Sequence, residues 1–153
     1  MSEDFVGFEG YPLTETERRI FAHERVGELA PFTPEVLILE FDARFTSADV
    51  EAVLQDVLAF HPAFTARFEV LPGGDVLRYS DAKTSLTVHD TAGLDSAKAH
   101  VASQRPHTEE VSAFADLWPA DTGGSIVTMV LHPILGDDAT FGSIETALCT
   151  ALG

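Results

Sequence analysis

Two segments combine helical spacing of apolar residues with a clear start signal. Thr14 and Glu17 have the spacing of a capping box, and they predict a helix over 15–26 that stops at Gly27. Thr46 and Asp49 repeat this spacing before a second helix, which we expect to end near His61-Pro62 because proline disfavours helical geometry at the preceding residue. The apolar residues of the second helix recur at helical intervals: Val50, Val53, Leu54, Val57 and Leu58.

Extended segments lie between the helices and follow them. Six segments have the alternating or continuous apolar pattern of strands: 36–45, 64–70, 76–80, 86–89, 111–118 and 125–132. The second and third flank Gly73-Gly74, and the last two flank Gly123-Gly124, so each pair predicts a hairpin. A polar, alanine-rich helix is predicted over 95–104, and Thr140 is the expected N-cap of a final helix.

This order of elements predicts one α/β domain with a mixed sheet in two layers and helices covering one face. Residues 1–10 form a lead-in without periodicity, which we expect to order only by docking Phe5, Phe8 and the following Tyr11. Residues 11–153 form the domain, because no repeat or linker interrupts them.

Composition and charge exclude several classes of function. The 25 acidic and 9 basic residues give a net charge of -16, which opposes a nucleic-acid partner. No apolar run is long enough to span a membrane, and the N-terminus lacks the features of a secretory signal, so we expect a cytoplasmic protein. The one cysteine, Cys149, has apolar neighbours typical of an inert packing thiol. We expect neither a metal nor another cofactor, and His61, His89, His100 and His107 show no ligand spacing and are expected at the surface or in caps.

Three local sequences resemble condensation domains of nonribosomal peptide synthetases. The segment His132-Pro-Ile-Leu-Gly-Asp-Asp-Ala-Thr-Phe-Gly142 is similar to the family signature, His-His-x-x-x-Asp-Gly followed by an aromatic residue, a Ser and an apolar-Gly pair. The segment 11–19 is similar to the family's opening, and 61–68 to its Arg-His-x-x-Leu-Arg-Thr-x-Phe step. The resemblance runs from about Tyr11 to Leu152 and implies one lobe, the N-terminal one, of the two-lobed chloramphenicol acetyltransferase-like fold. In the family, carrier proteins load a tunnel between the lobes.

This sequence departs from the signature at the positions that the family uses for chemistry. Pro133 stands where the family has its catalytic second His, and proline has no ionisable group. Asp138 replaces the signature Gly, and Thr65 replaces the Arg that commonly pairs with the residue matching Asp137. Arg67, two positions along the same predicted strand, is a candidate replacement for that Arg.

Two groups of residues remain as candidate functional sites. His132 is a candidate general base because imidazole titrates near neutrality, although the family's first His is largely structural. Arg18, Arg19 and Arg25 form a candidate docking patch for a partner on an otherwise acidic body; the alternative is that they pair with Glu15, Glu24 and Glu28.

The resemblance therefore implies a non-catalytic, condensation-domain-like half protein acting through protein contacts in nonribosomal peptide biosynthesis. The expected partners are a synthetase subunit, a carrier protein, a complementary lobe or a second copy of the chain. One alternative is an acyl or aminoacyl transferase or cyclase whose site at His132 is completed by another chain. Another is an excised lobe of a larger synthetase, because the end at Gly153 fits a lobe boundary.

Overall fold

The computed structural model describes residues 10–26, 32–136 and 138–153. Phe5 and Phe8 of the predicted lead-in lie outside them. The elements follow in chain order: β1 (Tyr11–Pro12), α1 (Glu15–Val26), β2 (Glu35–Phe41), α2 (Ser47–Phe60), α3 (Pro62–Thr65), β3 (Arg67–Val70), β4 (Val76–Tyr79), β5 (Leu86–Val88), α4 (Leu94–Ser103), β6 (Ala113–Pro119), β7 (Ser125–Leu131), a 3-10 turn (Pro133–Leu135) and α5 (Asp138–Leu152).

The strands form two sheets. The larger sheet has four strands in the order β2-β7-β6-β5, and only its β5–β6 pair is parallel. The smaller sheet is antiparallel, with the order β1-β4-β3. Both predicted hairpins are present, as β3–β4 and β6–β7. The α/β class and the mixed sheet are confirmed, but the sequence predicted a single sheet, because alternation identifies a strand without identifying its partner.

Most of the core lies on one face of the larger sheet. Alternate residues of β7 point to this face, and Val127, Met129 and Leu131 are buried there. Helices α2 and α5 pack against each other over it, with Leu54 and Leu148 fully buried. This arrangement matches the predicted core of the second helix.

Helix α4 covers the opposite face, so the expectation of helices on one face only is wrong in this respect. Ala97 of α4 packs in a second, smaller cluster with Trp118 and Ile126, and Ile38 lies beside them. Residues 118 and 126 alternate with the core residues of β6 and β7 and therefore point away from the main core. The apolar pattern of α4 was too weak to indicate which face it would cover.

The predicted capping box at Thr14 forms with both of its hydrogen bonds, and at Thr46 the N-cap bond forms. Glu17 N donates to Thr14 Oγ1 at 3.1 Å and Thr14 N donates to Glu17 Oε1 at 2.9 Å, while Asp49 N donates to Thr46 Oγ1 at 3.1 Å. The N-cap expected at Thr140 is wrong, because α5 already begins at Asp138. A Cβ at Gly136 would lie 1.9 Å from Thr140 Oγ1, so the missing side chain at Gly136 lets the first turn of α5 approach the preceding loop.

Two boundaries differ from the predicted pattern. The strand predicted over 36–45 ends at Phe41, because Arg44 N donates to Asp42 Oδ1 and Phe45 N donates to the Asp42 carbonyl, which closes a turn. Phe64 belongs to the short helix α3, for which His61 provides the N-cap, and not to a strand.

Cys149 is exposed on α5, so the packing role predicted from its apolar neighbours is wrong. Its chain neighbour Leu148 occupies the buried face of the helix instead. No helix within the described residues is long and apolar enough to cross a membrane.

Candidate functional site

The segment that resembles the family signature begins where β7 ends. His132 follows Leu131, and its backbone N–H donates to the Ser112 carbonyl at 2.9 Å. The side chain then caps the 3-10 turn Pro133–Leu135 from its N-terminal side. This imidazole is 1% exposed, so the residue expected to carry chemistry lies inside the protein.

Both ring nitrogens of His132 have partners. Ile134 N donates to Nδ1 at 3.1 Å, which requires a lone pair on Nδ1. Nε2 lies 2.5 Å from Glu24 Oε2 and therefore carries the proton that bonds to this carboxylate. The hydrogen-bond network thus assigns a neutral imidazole with its proton on Nε2.

Glu24 links α1 to two loops. Its Oε1 accepts a hydrogen bond from Thr108 N at 3.0 Å and a second, short one from the Thr108 hydroxyl. Burial alone would raise the pKa of the Glu24 carboxyl, but the hydrogen bonds from Thr108 and His132 outweigh it and hold this pKa below its ordinary value. Burial lowers the pKa of His132, and the attraction of Glu24 offsets this only in part. The pair therefore consists of an ionised carboxylate and a neutral imidazole.

This geometry makes His132 a structural tie between β7, α1 and the segment around Thr108. A general base needs a lone pair that a substrate proton can reach. A substrate proton reaches this ring only after the Ile134 bond or the Glu24 bond has broken. The catalytic role of His132 stays a prediction, and the observed contacts count against it.

Two of the other signature positions, Pro133 and Gly142, lie within the described residues. Pro133 is half-buried and is the first residue of the 3-10 turn, where proline's fixed φ suits the geometry. Gly142 lies on the exposed side of α5 with open space around it, and nothing in the structure explains a glycine there. Asp137 and the side chain of Asp138 lie outside the described part of the chain.

Arg67 has partners other than the one proposed from the sequence. Its Nε and Nη2 donate to the two carboxylate oxygens of Asp81 at 2.8 and 3.0 Å, and Nη1 donates to Glu69 at 3.3 Å. Its guanidinium also lies 4.3 Å from the centre of the Tyr79 ring. Hydrogen bonds from Arg67 lower the pKa of Asp81. The guanidinium is thus engaged on the small sheet, and because Asp137 lies outside the described residues, its pairing with Arg67 stays a prediction.

Two of the three arginines of α1 line one groove, and the third pairs with a neighbour on the helix. Arg19 pairs with Glu15 at 2.7 Å, as the alternative interpretation predicted. Arg25 lies 3.6 Å from Glu109, and not beside Glu24, whose carboxylate is bonded to His132 and Thr108. Arg18 and Arg25 line the same groove between α1 and the β3–β4 hairpin, a space of about 630 Å³ with apolar side chains such as Phe21.

A cluster that sequence reasoning missed lies on the α4 side of the larger sheet. His89 Nε2 is 2.7 Å and His100 Nε2 is 3.3 Å from Asp116 Oδ1, and Gln104 Nε2 donates to Asp116 Oδ2 at 3.0 Å. The His89 ring stacks on Trp118 with ring centres 3.6 Å apart. His61 caps α3, as predicted, and His107 accepts a hydrogen bond from Glu109 N within a turn, whereas His89 and His100 contact Asp116 instead.

One signal for this cluster was present in the sequence. Asp116 interrupts an otherwise apolar strand, and a buried carboxylate is costly unless it is paired. The imidazoles come from elsewhere: His89 follows β5, which is parallel to β6, and His100 lies on α4. A cavity of about 820 Å³ borders the cluster and is lined in part by His100, Gln104 and Asp116.

Comparisons with known proteins found matches among solved structures. Neither protein-family models nor curated proteins gave a match. An X-domain from teicoplanin biosynthesis, solved in complex with OxyB, has a TM-score of 0.71 at 19% identity over 95% of this chain and 33% of that chain. The starter condensation domain of rhizomide synthetase RzmA has a TM-score of 0.78 at 15% identity, over 94% of this chain and 37% of that chain.

The first condensation domain of the CDA synthetase has a TM-score of 0.76 at 15% identity, over 94% of this chain and 39% of that chain. In these three comparisons the chain thus spans between 33% and 39% of the length of the solved structure. The resemblance expected from the sequence is confirmed at the level of the fold. This chain has the fold of one part of a condensation domain of the chloramphenicol acetyltransferase-like type.

Proposed function

We propose that the chain is a non-catalytic, condensation-domain-like protein that acts through protein contacts in nonribosomal peptide biosynthesis. The observation that carries the proposal is the state of the signature segment. His132 is buried with both nitrogens bonded, and the next position, Pro133, has no group that can take a proton. The two positions that match the family's signature histidines therefore supply no accessible base for an attacking amine.

The fold supports a protein partner. One solved structure with this fold is an X-domain in complex with OxyB. A domain of this fold thus binds another protein in that case. For this chain, the candidate binding surface is the groove between α1 and the β3–β4 hairpin.

Charge supports this choice of surface. The chain as a whole carries -16, so an acidic carrier protein would be repelled by most of its surface. Arg18 and Arg25 lie seven residues apart, two turns along α1, and line one side of the groove, whose floor includes Phe21. An acidic helix with an apolar residue at its centre matches this combination of cations and apolar floor.

Copurification from the producing cells, followed by a direct binding measurement, tests the proposal. Mass spectrometry identifies the chains that copurify with the tagged protein, and light scattering measures the mass of the complex. We expect a carrier protein or a synthetase subunit in defined ratio. Recovery of a self-dimer alone would contradict the partner role.

Charge reversal on α1 then tests the surface. The single variant Arg18→Glu should weaken binding of the recovered partner at least about tenfold, or about 1.4 kcal/mol. Arg19→Glu is the matched control, because Arg19 lies on the same helix outside the groove and pairs with Glu15. Equal effects of both variants would show that long-range charge and not this groove controls binding.

The transferase alternative predicts a different outcome at Pro133. Pro133→His restores an imidazole at the position of the family's second His, at the start of the 3-10 turn. We expect this variant to remain without amide-forming activity on carrier-bound substrates. A gain of activity would overturn the non-catalytic proposal and favour an enzyme whose site lacks only its base.

A further inference from the structure

We propose that His89, His100 and Asp116 form a binding site for a divalent transition-metal ion, with Zn²⁺ the best match. One ligand atom from each residue, Nε2, Nε2 and a carboxylate oxygen, lies within 4.8 Å of the other two. Two imidazoles and one carboxylate are a common ligand set for zinc. The proposal does not depend on the function proposed above.

The distances in the cluster are close to those that a bound ion requires. With metal–ligand bonds of about 2.0–2.1 Å, tetrahedral ligands lie about 3.4 Å apart. His100 Nε2 is 3.3 Å and His89 Nε2 is 2.7 Å from Asp116 Oδ1. A small outward movement of His89, whose proton the ion would replace, brings this second distance to the same value.

The charge of Asp116 calls for a cation. Its side chain is 4% exposed, and an unpaired buried carboxylate is strongly disfavoured. Within the described residues, its ion pairs are with His89 and His100 and not with a lysine or arginine. A metal ion supplies the compensating charge while both imidazoles stay neutral.

The side-chain amide of Gln104 contacts both His100 and Asp116. Gln104 Nε2 lies 3.0 Å from Asp116 Oδ2 and 3.2 Å from His100 Nε2. If the amide donates to both atoms, the single lone pair of His100 Nε2 accepts from Gln104, and the 3.3 Å contact of this nitrogen with Asp116 Oδ1 is left without a proton, a mismatch of two acceptors.

Other assignments do not remove the mismatch. A proton on His100 Nε2 opposes the amide NH₂, and rotating the amide by 180° sets its oxygen against Asp116 Oδ2. In the described structure Gln104 Oε1 is also buried without a hydrogen-bond partner. A cation bound by His100 Nε2 and Asp116 Oδ1 would take the His100 lone pair in place of the Gln104 amide, which would then orient only the carboxylate.

The site has a route to solvent and an open side. The side chains of His89 and His100 are 20% and 37% exposed, and the cavity of about 820 Å³ borders His100 and Asp116. Three protein ligands leave the fourth zinc position for water or for a ligand atom in the cavity. The donor set excludes a dedicated Ca²⁺ site, which would use six or more oxygen ligands.

Trp118 provides a direct readout. It is the single tryptophan of the chain, and its ring stacks on His89. Tag-free protein treated with EDTA is titrated with Zn²⁺ while tryptophan fluorescence is followed, and with Co²⁺ while visible d–d absorption is followed. We expect one ion per chain, a saturable change in fluorescence and the absorption of a four-coordinate Co²⁺ site.

Variants locate the ion. His100→Gln, on the partly exposed side of the cluster, should weaken Zn²⁺ binding at least about tenfold, the effect of losing one metal ligand or its support. His107→Gln is the matched control, because its imidazole lies 3.7 Å from a different carboxylate, Glu24. We expect this control to bind Zn²⁺ within twofold of the unchanged protein.

Asp116→Asn tests whether the carboxylate is a metal ligand. This variant should lose the visible absorption of bound Co²⁺, and circular dichroism confirms that it is folded. Absence of saturable binding at 100 µM Zn²⁺ would overturn the proposal. Equal losses in His100→Gln and His107→Gln would also overturn it, because they would show adventitious binding to surface histidines.

Discussion

Glu24 Oε2 and His132 Nε2 lie 2.5 Å apart, although 108 positions separate the two residues along the chain. Glu24 is in the last turn of α1, whereas His132 follows the central strand β7. The contact joins the helix nearest the N-terminus to the segment that resembles a catalytic signature. The signature histidine thus serves to hold the fold together, and the proposal of a non-catalytic role rests on this finding.

Glu24→Gln should destabilise the protein. The carboxylate accepts hydrogen bonds on both oxygens, from Thr108 and from His132, whereas a Gln amide has one acceptor and must oppose one of these donors. We expect a loss of about 1–3 kcal/mol in the free energy of unfolding, measured by urea denaturation. The control Glu15→Gln removes an exposed pair with Arg19 on the same helix and should cost about 0–1 kcal/mol. Similar losses in both variants would contradict a structural role of the Glu24–His132 pair.

Stability should fall when the pH drops below about 6.5. Burial lowers the pKa of His132 in the folded protein, so the unfolded chain takes up a proton near its ordinary value of 6.5 that the folded protein does not. The stabilising contribution is therefore complete above pH 6.5 and is lost as the pH falls toward the folded-state pKa. One such proton gives a slope of up to about 1.4 kcal/mol per pH unit.

His132→Asn checks this assignment. The Asn Oδ1 replaces Nδ1 as the acceptor for Ile134 N, but the side chain no longer titrates. We expect the slope of the unfolding free energy between pH 5 and 6.5 to decrease. His61→Asn is the matched comparison, because burial also lowers the pKa of His61, which caps α3 in the same way. An unchanged slope in His132→Asn would show that other groups cause the acid sensitivity.

Two glycines in the predicted hairpins should respond differently to substitution. A Cβ at Gly124 would lie 1.8 Å from the Phe41 carbonyl oxygen, a backbone atom that cannot rotate away. A Cβ at Gly73 meets nothing within 4 Å. Gly124→Ala should therefore lower the unfolding free energy by about 2 kcal/mol or more, and Gly73→Ala should change it by less than about 0.5 kcal/mol. Thermal unfolding of both variants measures the difference, and equal melting temperatures would contradict the close approach of β2 to the β6–β7 turn.

Arg78 should contribute more to stability than Arg67. Arg78 donates to Glu17 at 2.5 Å and connects β4 with the capping box of α1, and both side chains are largely buried. Arg78→Gln should cost about 1.5–3 kcal/mol, the range for a hydrogen bond to a charged group. Arg67→Gln removes an exposed pair with Asp81 and should cost about 0–1 kcal/mol. Urea denaturation of the two variants measures both losses in the free energy of unfolding. A larger loss in Arg67→Gln than in Arg78→Gln would contradict this ranking.

The sequence by itself determined the elements whose signals are local. Two helix starts were predictable from the pairs Thr14–Glu17 and Thr46–Asp49, because this capping signal involves only residues three positions apart. The glycine pairs fixed both hairpins for the same reason. The signature around His132 also indicated the fold, which the solved structures confirm.

Only the tertiary structure decided which distant residues meet. Glu24 could pair with a neighbouring arginine or with His132, and burial beside Thr108 selects His132. The β3–β4 pairing brings Arg67 beside Asp81, a partner that the sequence did not indicate. The cluster of His89, His100 and Asp116 required the parallel β5–β6 pair and α4 on the second face of the sheet. Contacts of this kind depend on strand partners and helix placement, which side-chain periodicity along one chain does not encode.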